Sequence, residues 1–268
     1  MVSELYFIGT GGSVATEDRD NTSFVLQTRE SLLLIDCPGS TIQKLKKLNF
    51  NPRSINALLV THIHPDHIYG LPSLVHSLML DECLLRIYGS EETVRFCAEL
   101  LDLFDLRAEK VKCRVVFIPV EDREIQQISP SLSCTFFKVP HSPESMAFHF
   151  YLEEEGIHFI YSGDTPVYPM LFQEALNTDY LVHDCSAPSR FFRKYPSLQS
   201  MHTDALSLGK RAQEAGVKNL LPCHFFGEID FPLKEIEEEI RRYFRGNLII
   251  PDDFSRIPLI SARRRVIS

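Results

Sequence analysis

Residues that can bind metal ions are concentrated in one short stretch, Thr-His-Ile-His-Pro-Asp-His at positions 61–67. Imidazole and carboxylate groups are the usual protein ligands of zinc and of similar ions. His62 and His64 are two residues apart, so they point to the same side of an extended segment. Asp66 and His67 follow in a turn and can face a second point nearby. This spacing predicts two cation sites that share one loop, and each site needs further ligands from elsewhere in the chain.

Strands must carry these ligands to one place, and the sequence predicts several strands that end beside such residues. The apolar run 57–60 precedes the first loop and predicts a buried strand. His141, Asp164 and His224 each follow another apolar segment, and turn residues come after them. Loops at one edge of a rigid core can hold ligands together, so these three residues are candidates for the missing ligands.

The seven candidate ligands divide between two ions. One ion would take His62, His64 and His141, and the other Asp66, His67 and His224, with Asp164 bridging them. Mixed imidazole and carboxylate ligands are typical of Zn²⁺, and Mn²⁺ or Fe are alternatives. Two such ions can lower the pKa of a shared water molecule and stabilise both oxygens of a displacement. The predicted cofactors are therefore two divalent metal ions, with Zn²⁺ favoured.

This ligand pattern resembles the metallo-β-lactamase superfamily, whose HxHxDH signature matches residues 62–67. The later His, Asp and His of that superfamily match His141, Asp164 and His224. The resemblance extends from the first strand to His224 and implies hydrolytic chemistry. Strand and helix patterns repeat in two halves, which predicts an αββα sandwich of two mixed sheets flanked by helices. We expect a single hydrolase domain over residues 1–268.

Three stretches resemble one branch of the superfamily, the tRNA 3′-processing endonucleases called ribonuclease Z. They are residues 61–72, 161–165 and 181–185. The tripeptide Met-His-Thr at 201–203 also resembles the His-Ser/Thr segment of that branch, which implies that His202 protonates the leaving group. A phosphodiester has a poor alkoxide leaving group, so a general acid is chemically useful there.

The His202 segment also has a plainer interpretation. Thr203 is predicted to cap a helix that ends at Gly216, and His202 would then be an exposed residue before that helix. Asp66 is a second candidate catalytic residue, because it could hold or assist His202 as well as bind metal.

One departure from the ribonuclease Z branch concerns the substrate. Those enzymes usually carry a long basic arm that grips tRNA, and in the bacterial short form it lies between the ligands that match His141 and Asp164. Here these two residues are only 23 positions apart, and the glutamates 153–155 mark the tip of a predicted hairpin. Binding a large RNA normally needs several phosphate contacts, so a smaller substrate is favoured.

The leading hypothesis is a metal-dependent phosphodiester hydrolase that acts on a small or cyclic nucleotide. A metal-bound hydroxide would attack phosphorus, and His202 would act as the general acid. One alternative is a tRNA 3′-processing endonuclease, and another is an ester, thioester or lactone hydrolase that uses the same metals. The complete ligand set disfavours an inactive binding protein.

Several residues near these motifs have two interpretations. The basic and aromatic segment 186–199 could clamp a phosphate and stack a base, or it could be a surface loop or dimer contact. Phe225 and Phe226 could form a wall of the site or belong to the core. Asp36 and Asp184 lie at strand ends near the ligands and could orient metal-bound histidines.

Composition limits the remaining options. The chain has 268 residues, 44% of them hydrophobic, and its net charge of −8 gives no general attraction for nucleic acid. The dense basic cluster Arg263–Arg265 is expected to be a solvated terminus. No signal peptide or membrane span is predicted, and seven scattered cysteines without a CxxC motif indicate reduced thiols. We expect a cytoplasmic protein without membrane partners and, by resemblance, a homodimer with a helix over 71–80 at its interface.

Overall fold

Within residues 2–261, which the computed structural model describes, the first sheet has seven strands. The cluster Arg263–Arg265 lies outside the described residues. In spatial order the strands are β14 (Arg256–Pro258), β1 (Glu4–Gly9), β2 (Ser23–Gln27), β3 (Leu32–Ile35), β4 (Ala57–Leu59), β5 (Leu84–Gly89) and β6 (Arg114–Pro119). Neighbours from β14 to β3 are antiparallel, and those from β3 to β6 are parallel.

The second sheet, over the same described range, also has a parallel half and an antiparallel half. Its strands are β13 (Asn247–Leu248), β12 (Asn219–Cys223), β11 (Tyr180–Asp184), β10 (Ile157–Tyr161), β9 (Met146–Leu152), β8 (Leu132–Lys138) and β7 (Ile125–Ser129), in spatial order. Neighbours from β13 to β10 are parallel, and those from β10 to β7 are antiparallel. Each sheet is therefore mixed, as predicted.

Helices cover the outer face of each sheet. In chain order they are α1 (Thr41–Lys47), α2 (Pro65–Ile68), α3 (Leu71–Ser77), α4 (Glu91–Asp102), α5 (Pro169–Glu174), α6 (Ser189–Lys194), α7 (Ala205–Glu214) and α8 (Leu233–Arg241), with 3₁₀ turns at Pro52–Ser54 and Pro196–Ser200. Apolar residues of α1, α3 and α4 pack on the first sheet, and those of α5, α7 and α8 pack on the second. The prediction of an αββα sandwich is confirmed.

The core between the two sheets is rich in aromatic side chains. Phe24 of the first sheet contacts Tyr161 of the second, with their ring centroids 4.9 Å apart. Phe150 and Phe159 stack at 5.3 Å on neighbouring strands of the second sheet. Because helices cover the other faces, central strands are buried on both sides, which explains the uninterrupted apolar sequence of β3.

One helix boundary differs from the prediction. Thr203 does not cap α7, since the carboxylate of Asp204 accepts the hydrogen bond from the Ser207 N–H. The Thr203 hydroxyl instead donates to the Thr165 carbonyl oxygen at 2.8 Å. This bond ties the residue after His202 to the loop that follows β10. A local helix-start pattern could not reveal that contact, because Thr165 is remote in sequence.

Two broader expectations concern the membrane and the thiols. Among the described residues, none of the helices is long and apolar enough to cross a membrane. All seven cysteines are free, and all but Cys83 are buried. They act as small apolar side chains in the packing, as expected.

Candidate metal centre

The predicted ligands meet at one edge of the sandwich because parallel strands end there. His62, Asp164 and His224 follow the carboxyl ends of β4, β10 and β12. His141 lies in the loop between β8 and β9, and His64 directly precedes α2. The carboxyl edge of parallel strands is a common location for binding sites, since the chain is free to turn there. The structure therefore brings all seven predicted residues together.

The first group consists of His62, His64 and His141. The Nε2 atom of His62 lies 2.9 Å from Nδ1 of His64, and Nε2 of His141 lies 3.2 Å from the same atom. Two nitrogens bound at about 2.0–2.1 Å to one tetrahedral zinc ion are about 3.3 Å apart. The three nitrogens therefore need little movement to hold such an ion.

The second group consists of Asp66, His67, Asp164 and His224, whose candidate ligand atoms all lie within 4.8 Å of one another. Oδ2 of Asp164 lies 3.4 Å from Nε2 of His67 and 3.0 Å from Nε2 of His224. It also lies 3.9 Å and 3.8 Å from the Nε2 atoms of His62 and His141. Oδ2 of Asp164 thus lies near histidines of both groups, and its role as a bridging ligand stays a prediction.

Buried charge in the second group favours cation binding. Burial alone would raise the pKa of Asp164 and lower those of His67 and His224. Attraction between these groups outweighs burial, so the pKa of Asp164 lies well below its usual value and those of both histidines well above. The ionised carboxylates are therefore stabilised by positive charge nearby. A divalent cation would supply that charge in place of the imidazole protons.

Unpaired polar atoms support the same conclusion. Nε2 of His67, Nε2 of His224 and Oδ1 of Asp164 are buried among the described residues without a hydrogen-bond partner. Such orphaned atoms are unusual in native interiors unless they serve a ligand or ion. Burial also lowers the pKa of His62 and of His141, so both rings are neutral and can donate lone pairs. The donor set fits two divalent metal ions.

A buried carboxylate, Asp36, orients ligands from behind. It accepts a 2.9 Å hydrogen bond from the Nδ1–H of His67, and it accepts bonds from the backbone N–H and hydroxyl of Thr61. Nδ1 of His62 in turn lies 3.0 Å from the Thr61 hydroxyl. These bonds leave Nε2 of both histidines facing the centre. Asp36 thus has the orienting position expected from sequence, whereas Thr61 was missed because threonine at a strand end has no distinctive signal.

Backbone groups and a serine orient two other ligands. Nδ1 of His141 lies 2.9 Å from the Met201 carbonyl oxygen, so its N–H donates there and Nε2 faces the centre. Nδ1 of His224 lies 3.4 Å from the Ser186 hydroxyl. His224 has a positive φ of 64°, a conformation that few residues other than glycine adopt. Neither Met201 nor Ser186 was identified from the sequence, since a carbonyl contact and a single serine carry no pattern.

His202 lies beside the centre, and Asp184 holds it. Nδ1 of His202 donates to Oδ2 of Asp184 at 2.9 Å. A ring nitrogen of His202 lies within 4.8 Å of ligand atoms of His141 and Asp164. The sequence favoured Asp66 as the residue that holds His202, but the carboxylate in hydrogen-bond contact is Asp184. His202 is only 8% exposed, which excludes the alternative of an exposed residue before a helix.

The glycine-rich turn 9–12 packs against this site but is no phosphate loop. Its sequence predicts a tight turn, since no GK[ST] follows. The N–H of Gly11 donates to the Asp20 carbonyl, and that of Gly12 to the Phe225 carbonyl, so these donors are already used. A β-carbon at Gly12 would lie 3.4 Å from the His224 ring. Glycine at this position therefore allows the turn to approach a ligand closely.

The basic and aromatic segment 186–199 is occupied by structural contacts. Arg190 makes two hydrogen bonds to Glu235 of α8, at 2.8 and 3.0 Å. Phe191 and Phe192 are buried in a small apolar cluster. These contacts favour the interpretation of this segment as a packed surface element.

Comparisons with known proteins place the chain in a family. The model of the family described as anti-Pycsar protein Apyc1 matches residues 3–206. A protein named ribonuclease Z from Methanosarcina mazei is 24% identical over 299 residues, covering 94% of this chain and 97% of that protein. This alignment is longer than the chain itself, so the relative contains segments that are absent here.

Solved structures resemble this fold closely. The metallo-β-lactamase fold protein YhfI from Bacillus subtilis has a TM-score of 0.79 and 19% identity, with 95% of this chain and 98% of that chain covered. The short form of human tRNase Z has a TM-score of 0.76 and 19% identity, with 96% and 100% covered. Together with the sequence relatives, they confirm the resemblance to the metallo-β-lactamase superfamily and its ribonuclease Z-like branch.

The role of Asp36 leads to a prediction about metal affinity. Asp36→Asn removes the charge that orients His67, and we expect about a 10- to 100-fold loss of zinc affinity. Competition with a chromophoric chelator measures this change. Asp179→Asn is the matched control. Asp179 is a buried carboxylate that directly precedes β11, at the end of this strand opposite to Asp184, and it accepts a hydrogen bond from the His158 N–H. Unchanged affinity in a folded Asp36→Asn protein would contradict the orienting role.

Proposed function

This chain belongs to the family described as anti-Pycsar protein Apyc1 and is a metal-dependent hydrolase, and we propose that it hydrolyses phosphodiesters of small or cyclic nucleotides. The observation that carries the proposal is the pairing of His202 with Asp184 beside the two ligand groups. A hydrolase needs such a proton donor most when the leaving group is a poor one, as an alkoxide is.

The two groups of candidate ligands determine which cofactor the centre could bind. We propose that His62, His64, His141, Asp66, His67, Asp164 and His224 hold two divalent metal ions, Zn²⁺ first. Bound ions would supply Lewis acidity toward a phosphoryl oxygen and a lowered pKa for water. Asp36 and Thr61 keep the histidine rings in the orientation that this requires. Asp66 belongs to the ligand group and contacts His67 and His224, so we assign it to metal binding rather than to proton transfer.

His202 is proposed to protonate the departing oxygen. Its Nδ1–H is donated to Asp184, so its second nitrogen, Nε2, is left to carry the transferable proton. Asp184 is itself buried and accepts bonds from the Ser186 hydroxyl at 2.6 Å and from the Thr165 N–H at 3.2 Å. A carboxylate held by several donors fixes the orientation of the ring. Asp184 is therefore a positioning residue for the general acid.

Substrate size is inferred from the segment between His141 and Asp164. In place of an arm, β9 and β10 are joined by the tight turn 153–156, where the Gly156 N–H donates to the Leu152 carbonyl. The turn carries three glutamates, which would repel phosphate. This turn therefore offers a large RNA none of the basic contacts that such a substrate normally needs. These features support a small or cyclic nucleotide as the substrate.

The relatives named ribonuclease Z support a second candidate, tRNA 3′ processing. A panel of cyclic nucleotides, dinucleotides and precursor tRNA distinguishes the two candidates when metal content is measured on the same sample. Turnover of the small substrates supports our proposal. Specific cutting of precursor tRNA with little turnover of small substrates would contradict it. Preferred hydrolysis of a thioester or lactone would favour the remaining alternative.

A change at His202 tests the proton-donor role. His202→Gln should reduce hydrolysis of a cyclic nucleotide by about 10²- to 10⁴-fold, because the ribose alkoxide needs a proton to leave. Hydrolysis of bis(p-nitrophenyl) phosphate should fall much less, since nitrophenolate leaves without protonation. Steady-state rates with both substrates measure the difference. His158→Gln, at an exposed histidine of β10, is the control. Equal losses on both substrates would contradict the assignment.

We also propose a homodimer through the outer surface of α3 and α4. A cavity of about 600 Å³ opens there, between residues of both helices and the loops beside them. Four large apolar side chains on or beside this surface are more than half exposed: Tyr69, Leu80, Leu103 and Phe104. Exposed apolar patches of this kind commonly mark association surfaces. A second copy of the chain is the partner that this proposal names.

Charge placed on this surface tests the dimer. Phe104→Asp should convert the protein to a monomer, because an unpaired carboxylate in an apolar interface is costly. Light scattering coupled to size-exclusion chromatography measures the mass. Leu176→Asp is the matched control, since Leu176 is 59% exposed after α5 on the other sheet. A monomeric wild type, or a Phe104→Asp protein that remains dimeric, would overturn the proposal.

We also propose that the protein is located in the cytoplasm. The seven cysteines are free thiols, and disulfides are rare in reducing compartments.

A further inference from the structure

Two adjacent phenylalanines after β12 have different environments. Phe225 is 3% exposed, and the Arg19 guanidinium lies over its ring at 5.0 Å. Phe226 is only partly buried, and its ring is nearly perpendicular to that of His202, with the centroids 5.1 Å apart. The same ring lies 6.1 Å from that of His224. Phe225 is therefore a core residue, whereas Phe226 forms a partly exposed wall beside the proposed proton donor.

The Phe226 ring is held firmly in that position. The backbone N–H of Phe226 donates to the Ser186 carbonyl oxygen at 2.8 Å. A β-carbon at Gly12 would lie 3.1 Å from Cδ1 of Phe226, so the glycine turn closes against the ring on one side. Phe226 also packs against the buried apolar cluster formed by Ala187, Phe191 and Phe192. A ring fixed by its surroundings loses little conformational freedom when a ligand packs on it.

The position of the Phe226 ring relative to His202 determines which part of the substrate this ring would contact. If His202 protonates the departing oxygen, the nucleoside that carries this oxygen lies on the His202 side of the centre. Aromatic side chains bind bases by stacking, and the contact tolerates different bases because every base has a π-face. We infer that Phe226 stacks on the nucleobase of the substrate. This inference rests on the proposed function and adds to it a residue for base binding.

The two phenylalanines of segment 186–199 do not compete for this role. Phe191 and Phe192 are 8% and 2% exposed, so their faces are taken by packing. The Arg190 guanidinium covers the Phe191 ring at 4.0 Å. Among the described phenylalanines and tyrosines, Phe226 is the one that combines partial exposure with a ring contact to His202.

The test compares a substrate that has a nucleobase with a substrate that lacks it. The two substrates are adenosine 3′,5′-cyclic monophosphate and the 3′,5′-cyclic phosphate of abasic ribose, and the quantity is the ratio of their kcat/KM values. We expect wild type to prefer the nucleotide by about tenfold or more through stacking. Phe226→Ala should bring the ratio close to one, mainly through a higher KM for the nucleotide. Phe226→Trp should restore it.

The ratio separates base binding from general damage to the site. A variant that misplaces His202 or a metal ligand lowers kcat/KM for both substrates and leaves their ratio unchanged. Phe231→Ala is the control for loosening of the cluster, because Phe231 packs on Phe191 at 6.0 Å. It should keep the wild-type ratio. A Phe226→Ala protein with the wild-type ratio would overturn the inference while the proposed function stands. Absence of hydrolysis of both substrates by wild type would contradict both.

Discussion

Buried negative charge is the constraint on which the rest of this structure depends. Asp36, Asp164 and Asp184 are each at most 3% exposed at one edge of the sandwich. A buried carboxylate is strongly unfavourable unless hydrogen bonds, protonated partners or cations compensate for it. Asp36 and Asp184 are compensated by hydrogen bonds from Thr61, Ser186 and the ring nitrogens of histidines. Asp164 is compensated by attraction to His67 and His224, and its Oδ1 atom has no hydrogen-bond partner, so this carboxylate is available to a cation.

Parallel strands in both sheets place these buried carboxylates together. Their carboxyl ends meet at one edge, where the chain can turn sharply, as at Gly163 and His224, which have positive φ values. Each half of the sandwich then contributes one buried carboxylate behind the site, Asp36 after β3 and Asp184 at the end of β11. The first orients a ligand, and the second orients the proposed proton donor.

How far these features could be predicted from the sequence depends on how far apart in the sequence the residues involved lie. The clustering of the seven candidate ligands and most strands were predictable, because an HxHxDH loop and apolar runs that end beside candidate ligands are local patterns. The pairing of His202 with Asp184 was not, since 18 residues separate them and only the path of the 186–199 segment brings them together. The different environments of Phe225 and Phe226 were equally hidden, because adjacent identical residues give no sequence signal about which one faces the core.

The number and position of bound metal ions test the central claim most directly. X-ray diffraction data collected at the zinc absorption edge from zinc-loaded crystals, with metal content measured on the same protein, would locate each ion. We predict two ions per chain, one among His62, His64 and His141 and the other among Asp66, His67 and His224, with Asp164 between them. A single ion, or ions bound away from these residues, would contradict the account.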